Sequence, residues 1–227
     1  MINLKLKDFL KNNIISHYDS LIDEGNDPVH DPEQLQDYMN KWDGAVFMEQ
    51  MRLDKDKSVL EIGVGTGRLA VRTAPMCGEF YGVDISPKTI ERAKENLAGF
   101  PNVRLICGDF LSYEFGRTFD VVYSSLTFMH IEDKQKAVNK AAGLLNDKGL
   151  FVLSIDKSGG EFIDFGSRRI RIYPDTADAK AKRIKAAGLT ILNRYDTEFA
   201  TIFTALKQSE YKMAGLGLWQ GHRCKCL

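Results

Sequence analysis

The sequence predicts an α/β chain: apolar strands alternating with helices, a mostly parallel sheet covered on both faces, and an antiparallel pair near its C-terminal end. Three observations carry that expectation. An apolar run, Val59-Leu60-Glu61-Ile62, feeds a loop with glycine at every second position, Gly63, Gly65 and Gly67, ahead of a helix-compatible segment. Apolar strands and helical stretches then alternate as far as residue 155, the pattern of a sheet buried on both faces. Last, residues 189–195 and 198–206 are two strand-like runs whose connection is so short that they must pair antiparallel.

Taken in order, residues 1–57 read as helices and loops ahead of the sheet. Asp31-Pro32-Glu33 is a helix start, with Asp as N-cap and Pro at the first helical position. Leu35, Tyr38, Met39 and Trp42 recur at helical spacing, and Val46, Phe47, Met51 and Leu53 lead toward the first strand. Strands are expected over residues 59–62, 80–84, 103–107, 119–124 and 150–155. The intervening helices are expected over 68–74, 87–97 with Ser86-Pro87 as its cap, and 133–145. A helix over 176–187 precedes the terminal pair. The division is an N-terminal helical lid or extension (1–57), a core (58–206) and a C-terminal tail (207–227).

Composition bounds the function. The 227 residues are 44% hydrophobic, enough for one substantial core, and Lys+Arg and Asp+Glu both total 31. No global field draws such a chain to nucleic acid or an anionic membrane. No apolar run approaches the roughly 20 residues of a membrane span. Four cysteines in this length do not make a disulfide framework, and a soluble, cytoplasmic protein is expected.

The glycine loop marks a cofactor site, and its neighbours decide which cofactor. The dinucleotide pattern G-x-G-x-x-G fails from Gly63, where Arg68 replaces the third glycine, and passes only loosely from Gly65 to Ala70. Behind the loop stand Glu61, Asp84 at the end of the second strand, and Gly108-Asp109-Phe110 after the third. With these residues the chain resembles the class I S-adenosylmethionine-dependent methyltransferases, whose E-x-G-x-G-x-G loop it reproduces, over roughly residues 40–206.

The resemblance implies a Rossmann-like seven-stranded sheet of order 3-2-1-4-5-7-6 with S-adenosylmethionine as cofactor and S-adenosylhomocysteine as product. Gly63, Val64, Gly65, Thr66 and Gly67 would lie against its amino-acid and ribose portions, with Glu61 supporting the same region. Asp84 has two acceptor oxygens for the ribose hydroxyls, and Asp109 would accept from the adenine amino group between Ile85 and Phe110. Ser124 lies where the fourth strand would end beside the transferred methyl.

That strand end also excludes relatives. It lacks the Asn/Asp-Pro-Pro-aromatic segment of amino-type base methyltransferases, the Pro-Cys nucleophile of cytosine-C5 enzymes and the paired Glu of protein arginine methyltransferases. A small-molecule acceptor remains, with Tyr18, Tyr38, Trp42 and Phe162 as expected pocket residues and His130 as the candidate general base, ahead of His17 and His30. The competing readings are a nicotinamide-dependent oxidoreductase, an aminopropyl transferase and a cofactor- or RNA-binding module without turnover. The loop 158–166 reads as a connection that could line the substrate. The basic stretch from Arg168 to Lys185 reads as a solvated face. His222, Cys224 and Cys226 supply three soft ligands where structural zinc wants four, so no metal is expected.

Overall fold

The computed structural model describes residues 2–166 and 168–209, with side chains described from Leu10 onward. Three helices precede the sheet: α1 (Ile2–Asp23), α2 (Glu33–Met39) and α3 (Gly44–Gln50). Then follow β1 (Ser58–Ile62), α4 (Ala70–Thr73), β2 (Glu79–Asp84), α5 (Pro87–Asn96), β3 (Val103–Cys107), β4 (Phe119–Ser125), α6 (Lys134–Gly143) and β5 (Leu145–Asp156). A small hairpin, β6 (Phe162–Asp164) and β7 (Arg169–Arg171), leads to α7 (Ala177–Ala186), β8 (Leu189–Asp196) and β9 (Ala200–Lys207).

The main sheet has the order β3-β2-β1-β4-β5-β9-β8. The first five strands are parallel, and β9 runs antiparallel to both β5 and β8. This is the expected topology; the numbering differs because β6 and β7 form a separate sheet. Successive residues of one strand serve opposite cores, as the period of two requires. Leu60, Val122, Phe151 and Phe203 pack in the cluster that includes Val138 of α6 and Ile184 of α7. Val59, Val121, Val152 and Ile202 pack in the cluster with Phe47 of α3, Ala70 of α4 and Ile90 of α5.

Several expectations are corrected. The first crossover helix is a single turn, followed by a tight turn over Ala74–Met76, because Pro75 has no N–H to continue it. Asp31 does not cap α2: Pro32 takes the N-cap position, and the Asp31 carbonyl accepts from Gln36 Nε2 at 2.8 Å. Ser86 does cap α5, accepting from the Thr89 N–H. Strand β5 begins at Leu145 instead of residue 150, with a register irregularity opposite Phe119 and Val121. The stretch after β5 is not a plain loop, since Phe162, Ile163 and Asp164 pair with Arg171, Ile170 and Arg169.

The basic stretch is not a uniformly solvated face either. Lys180 is fully buried, 3.0 Å from Asp175. Cys77 is buried, whereas Cys107 is exposed at the end of edge strand β3. No helix among the described residues is long and apolar enough to cross a membrane. The His222/Cys224/Cys226 tail lies outside the described residues.

Candidate functional site

The glycine loop, the ends of β1, β2 and β4, and the loop after β3 meet on one edge of the sheet. The Gly63 and Val64 N–H groups donate to the Val83 carbonyl at 2.8 and 3.1 Å, so the loop turns back across the end of β2. Asp84 then locks it from below. One carboxylate oxygen accepts from the Gly65 N–H at 3.0 Å and the other from the Ser86 N–H at 3.0 Å. Burial raises the Asp84 pKa, and those N–H donors work against the shift.

Helix α1 forms the opposite wall. Between it and the strand ends lies a cavity of about 640 Å³, lined by Glu61, Gly63, Val64, Gly65, Thr66, Asp84, Ile85, Asp109 and Phe110. Gly67 and Ser124 are not among its lining residues. Gly67 has φ +103°, and Leu97 lies against the place of its missing Cβ, so its glycine serves the turn and its packing. Ser124 is fully buried and donates to the Ile62 carbonyl at 2.8 Å; the next residue, Ser125, lines the cavity. A one-residue step along a strand reverses the face, which corrects the expectation for Ser124.

Of the expected pocket aromatics only Tyr18 lines this cavity. Tyr38 and Trp42 instead stack with Phe199, and Trp42 Nε1 donates to Asp156 at 2.6 Å. Phe162 is exposed beneath the Arg169 guanidinium, 4.0 Å from its ring centre. His30 bonds Asn96 on the outside of the molecule, and His17 packs against Phe165.

His130 closes the far end. The Tyr18 hydroxyl and His130 Nε2 share a hydrogen bond of 2.7 Å that joins α1 to the turn after β4. Burial lowers the His130 pKa to about 4, so the imidazole is neutral at pH 7 and able to accept a proton; Tyr18 is pushed above its ordinary value by its own burial. Leu126, beside it on the cavity wall, has φ +59°, a strained conformation for a side chain of that size.

Sequence reasoning missed the residues that hold these parts together. Asp43, 1% exposed, accepts from both terminal nitrogens of Arg68, from the Gly44 N–H at 2.7 Å and from the Ser125 hydroxyl at 2.8 Å. It thereby fixes the glycine loop to the end of β4. Lys11 of α1 lies 3.1 Å from Asp109. Burial pushes the Asp109 carboxyl up, but the Leu111 N–H and the Lys11 ammonium together bring it below its usual value. Asn96 at the end of α5 donates to the Thr66 carbonyl at 2.9 Å.

Glu61, 3% exposed, accepts from the Tyr123 hydroxyl at 2.8 Å, and burial raises its pKa to about 8. A carboxyl protonated in the fold but ionised when unfolded loses stability for the fold as pH rises from 4.5 to about 8. His130, depressed from 6.5 to about 4, acts oppositely, its contribution falling as pH drops through that range. The two nearly cancel between pH 4.5 and 6.5. From pH 6.5 to 8 Glu61 acts without that counterweight, at up to about 1.4 kcal/mol per pH unit. Thermal melts of the ligand-free protein should therefore decline over that interval, and Glu61→Gln should flatten the decline.

Residues 59–149 match the family model described as a methyltransferase domain. An uncharacterized methyltransferase of Anoxybacillus flavithermus is 28% identical over 189 residues, covering 75% of this chain and 88% of that protein. Malonyl-[acyl-carrier protein] O-methyltransferase 1 of Ilyobacter polytropus is 31% identical over 102 residues, covering 44% of this chain and 38% of that protein. The chain spans about two fifths of the length of several curated relatives that it matches. The Synechocystis magnesium protoporphyrin IX methyltransferase, solved with bound S-adenosylmethionine, superposes with a TM-score of 0.68 at 18% identity, covering 88% of this chain and 97% of that one. Over residues 59–149 the chain is similar to the methyltransferase-domain family, and its fold is the one seen in the Synechocystis methyltransferase.

Proposed function

We propose that the protein transfers a methyl group from S-adenosylmethionine to a small-molecule acceptor. The observation that carries this reading is the continuity of a single cavity, which runs from Asp109 and Asp84 past the glycine loop to Leu126, His130 and Tyr173. It offers room for a cofactor at one end and an acceptor at the other. The Ilyobacter and Synechocystis proteins, named for a malonyl-[acyl-carrier protein] and for magnesium protoporphyrin IX, support acceptors of varied size.

The residues present fit the cofactor. Gly65 lines the cavity, and nothing lies within 4 Å of where its Cβ would stand, so bare backbone faces a ligand there. The Asp84 carboxylate is fixed by two N–H groups and retains lone pairs for a pair of hydroxyls. When bound, S-adenosylmethionine supplies a methyl already activated on a sulfonium. The chain's own residues then supply alignment and exclusion of water. Glu61, Asp84 and Asp109 hold the cofactor's polar parts, and the apolar face of α1, with Leu10, Ile14 and Leu21 on the cavity, keeps water out. His130 is unprotonated at neutral pH, and a proton from an acceptor reaches its Nε2 only by way of, or in place of, the Tyr18 hydroxyl bonded there. A pKa of about 4 makes it a weak base, so most of the rate must come from positioning.

Calorimetric titration tests the reading. S-adenosylmethionine and S-adenosylhomocysteine should bind, nicotinamide dinucleotides should not, and Asp84→Ala should weaken the first pair by about 100-fold, as losing two strong hydrogen bonds implies. Binding of a nicotinamide dinucleotide instead, or of none of these ligands, would overturn it.

A further inference from the structure

Lys134 is the first residue of α6, and two features of its place are unfavourable. A cation at a helix N-terminus opposes the helix dipole, and an ammonium taken out of water costs free energy unless it is fully paired. Yet Lys134 is only 6% exposed. Its Nζ donates to the Phe128 carbonyl at 2.7 Å and to the Ile131 carbonyl at 3.1 Å. Those carbonyls flank His130. The Phe128 carbonyl also closes the turn by accepting from the Ile131 N–H at 3.2 Å, so Lys134 grips the turn at its hinge.

A second layer supports the grip. Lys180 of α7 is fully buried, with Nζ 4.9 Å from the centre of the Phe128 ring and 3.0 Å from Asp175. Arg183 donates to the other Asp175 oxygen at 2.6 Å. The charged groups acting on Lys134 are Lys180, Arg183 and Asp175 from the α7 side, and the titratable His130 on the turn and His17 on α1 lie beyond it. Lys180 and Arg183 pair with the Asp175 carboxylate, and Lys134 feels it only at a distance. Burial, and then the neighbouring Lys180, lower the Lys134 pKa to about 8, a measure of how much this position costs.

We propose that Lys134 is a positioning residue of the site, clamping the turn Phe128–His130 from behind so that His130 meets Tyr18 and faces the cavity. A hydrogen-bonded amine is what this geometry uses: charge alone would act equally from any nearby point, whereas two carbonyls on either side of one histidine require a donor between them. The role in turnover rests on the methyl-transfer reading above; the placement of His130 does not.

The test separates the two. Imidazole nitrogen–proton correlations of histidine-labelled protein report His130, identified by loss of its signals in His130→Gln, and Tyr18→Phe shows where they move when the Tyr18 bond is absent. Lys134→Met should move the His130 signals most of the way to the Tyr18→Phe position, and Lys134→Gln, which removes the charge but keeps a donor one bond short, should move them partway. A folded Lys134→Met protein with His130 signals at the wild-type position overturns the proposal. Equal movement in the Met and Gln variants overturns it as well, because charge alone would then suffice. Should Lys134→Met not fold, Lys134→Ala, which also lacks a donor, decides: unmoved signals overturn the clamp. Titration of the wild-type protein with S-adenosylhomocysteine is the separate arm. Absence of binding there, with His130 still dependent on Lys134, removes the methyltransferase reading and leaves the clamp standing.

Discussion

Asp43→Ala is expected to destabilise the protein by about 3–5 kcal/mol, the usual consequence of removing one partner of a buried ion pair. The carboxylate has no exposed alternative, and its four donors come from three separate places: Arg68 at the end of the glycine loop, Gly44 at the start of α3 and Ser125 at the end of β4. Without it, the Arg68 guanidinium, 18% exposed, loses its ion-pair partner, and the Ser125 hydroxyl loses its acceptor. For a chain of this length the change corresponds to a fall of about 10 °C in melting temperature. Replacing both ends of the pair, Asp43→Leu with Arg68→Met, should recover part of the loss, since two apolar groups leave no unpaired charge. If Asp43→Ala melts within about 1 °C of wild type, well under the shift one kcal/mol produces, the carboxylate is not the joint between loop and strand.

How much of this was legible in advance follows from how local each cause is. The glycine loop, Asp84 and the Ser86 cap are written in a few consecutive residues, because positive φ and helix capping are properties of short stretches. The alternation and the tight terminal pair implied a mostly parallel sheet with an antiparallel end, and the strand order came from the family resemblance. Asp43 could not be read the same way. Before Gly44 it looks like half of a turn, and its partner Ser125 is 82 residues away. The Tyr18–His130 bond spans 112 residues, so neither side chain carried a sign of the other. Ser124 was misplaced for a different reason: the strand was located correctly, but the sequence around it is apolar on both faces, and nothing in it fixed the parity. Lys180 was misread because its neutralising partner, Asp175, precedes the helix and lies outside the periodicity that suggested a wet face.

The glycines themselves allow a sharper experiment, because two of them are glycine for different reasons. At Gly63, with φ +77°, a Cβ would stand 1.9 Å from Thr127 Oγ1 and 2.7 Å from Thr127 Cβ. Rotating the Thr127 side chain cannot relieve a contact with its own Cβ, so either the loop or the segment after β4 must move. Left-handed strain adds about 1–2 kcal/mol to an overpacking cost of about 1–3 kcal/mol. Gly63→Ala should therefore lower stability by about 2–5 kcal/mol and, by shifting the cofactor wall, weaken S-adenosylhomocysteine binding by about 100-fold. Gly65, with φ +58°, meets nothing within 4 Å. Its Ala variant should lose only about 1 kcal/mol of stability, because strain is the sole penalty, while its methyl projects into the cavity and interferes with a ligand there. Melting temperature and calorimetric affinity should thus separate the two: both fall in Gly63→Ala, and affinity falls far more than stability in Gly65→Ala. A Gly65→Ala protein that binds S-adenosylhomocysteine as tightly as wild type would mean that the cofactor does not approach this loop, and that the open space above Gly65 serves some other part of the cavity.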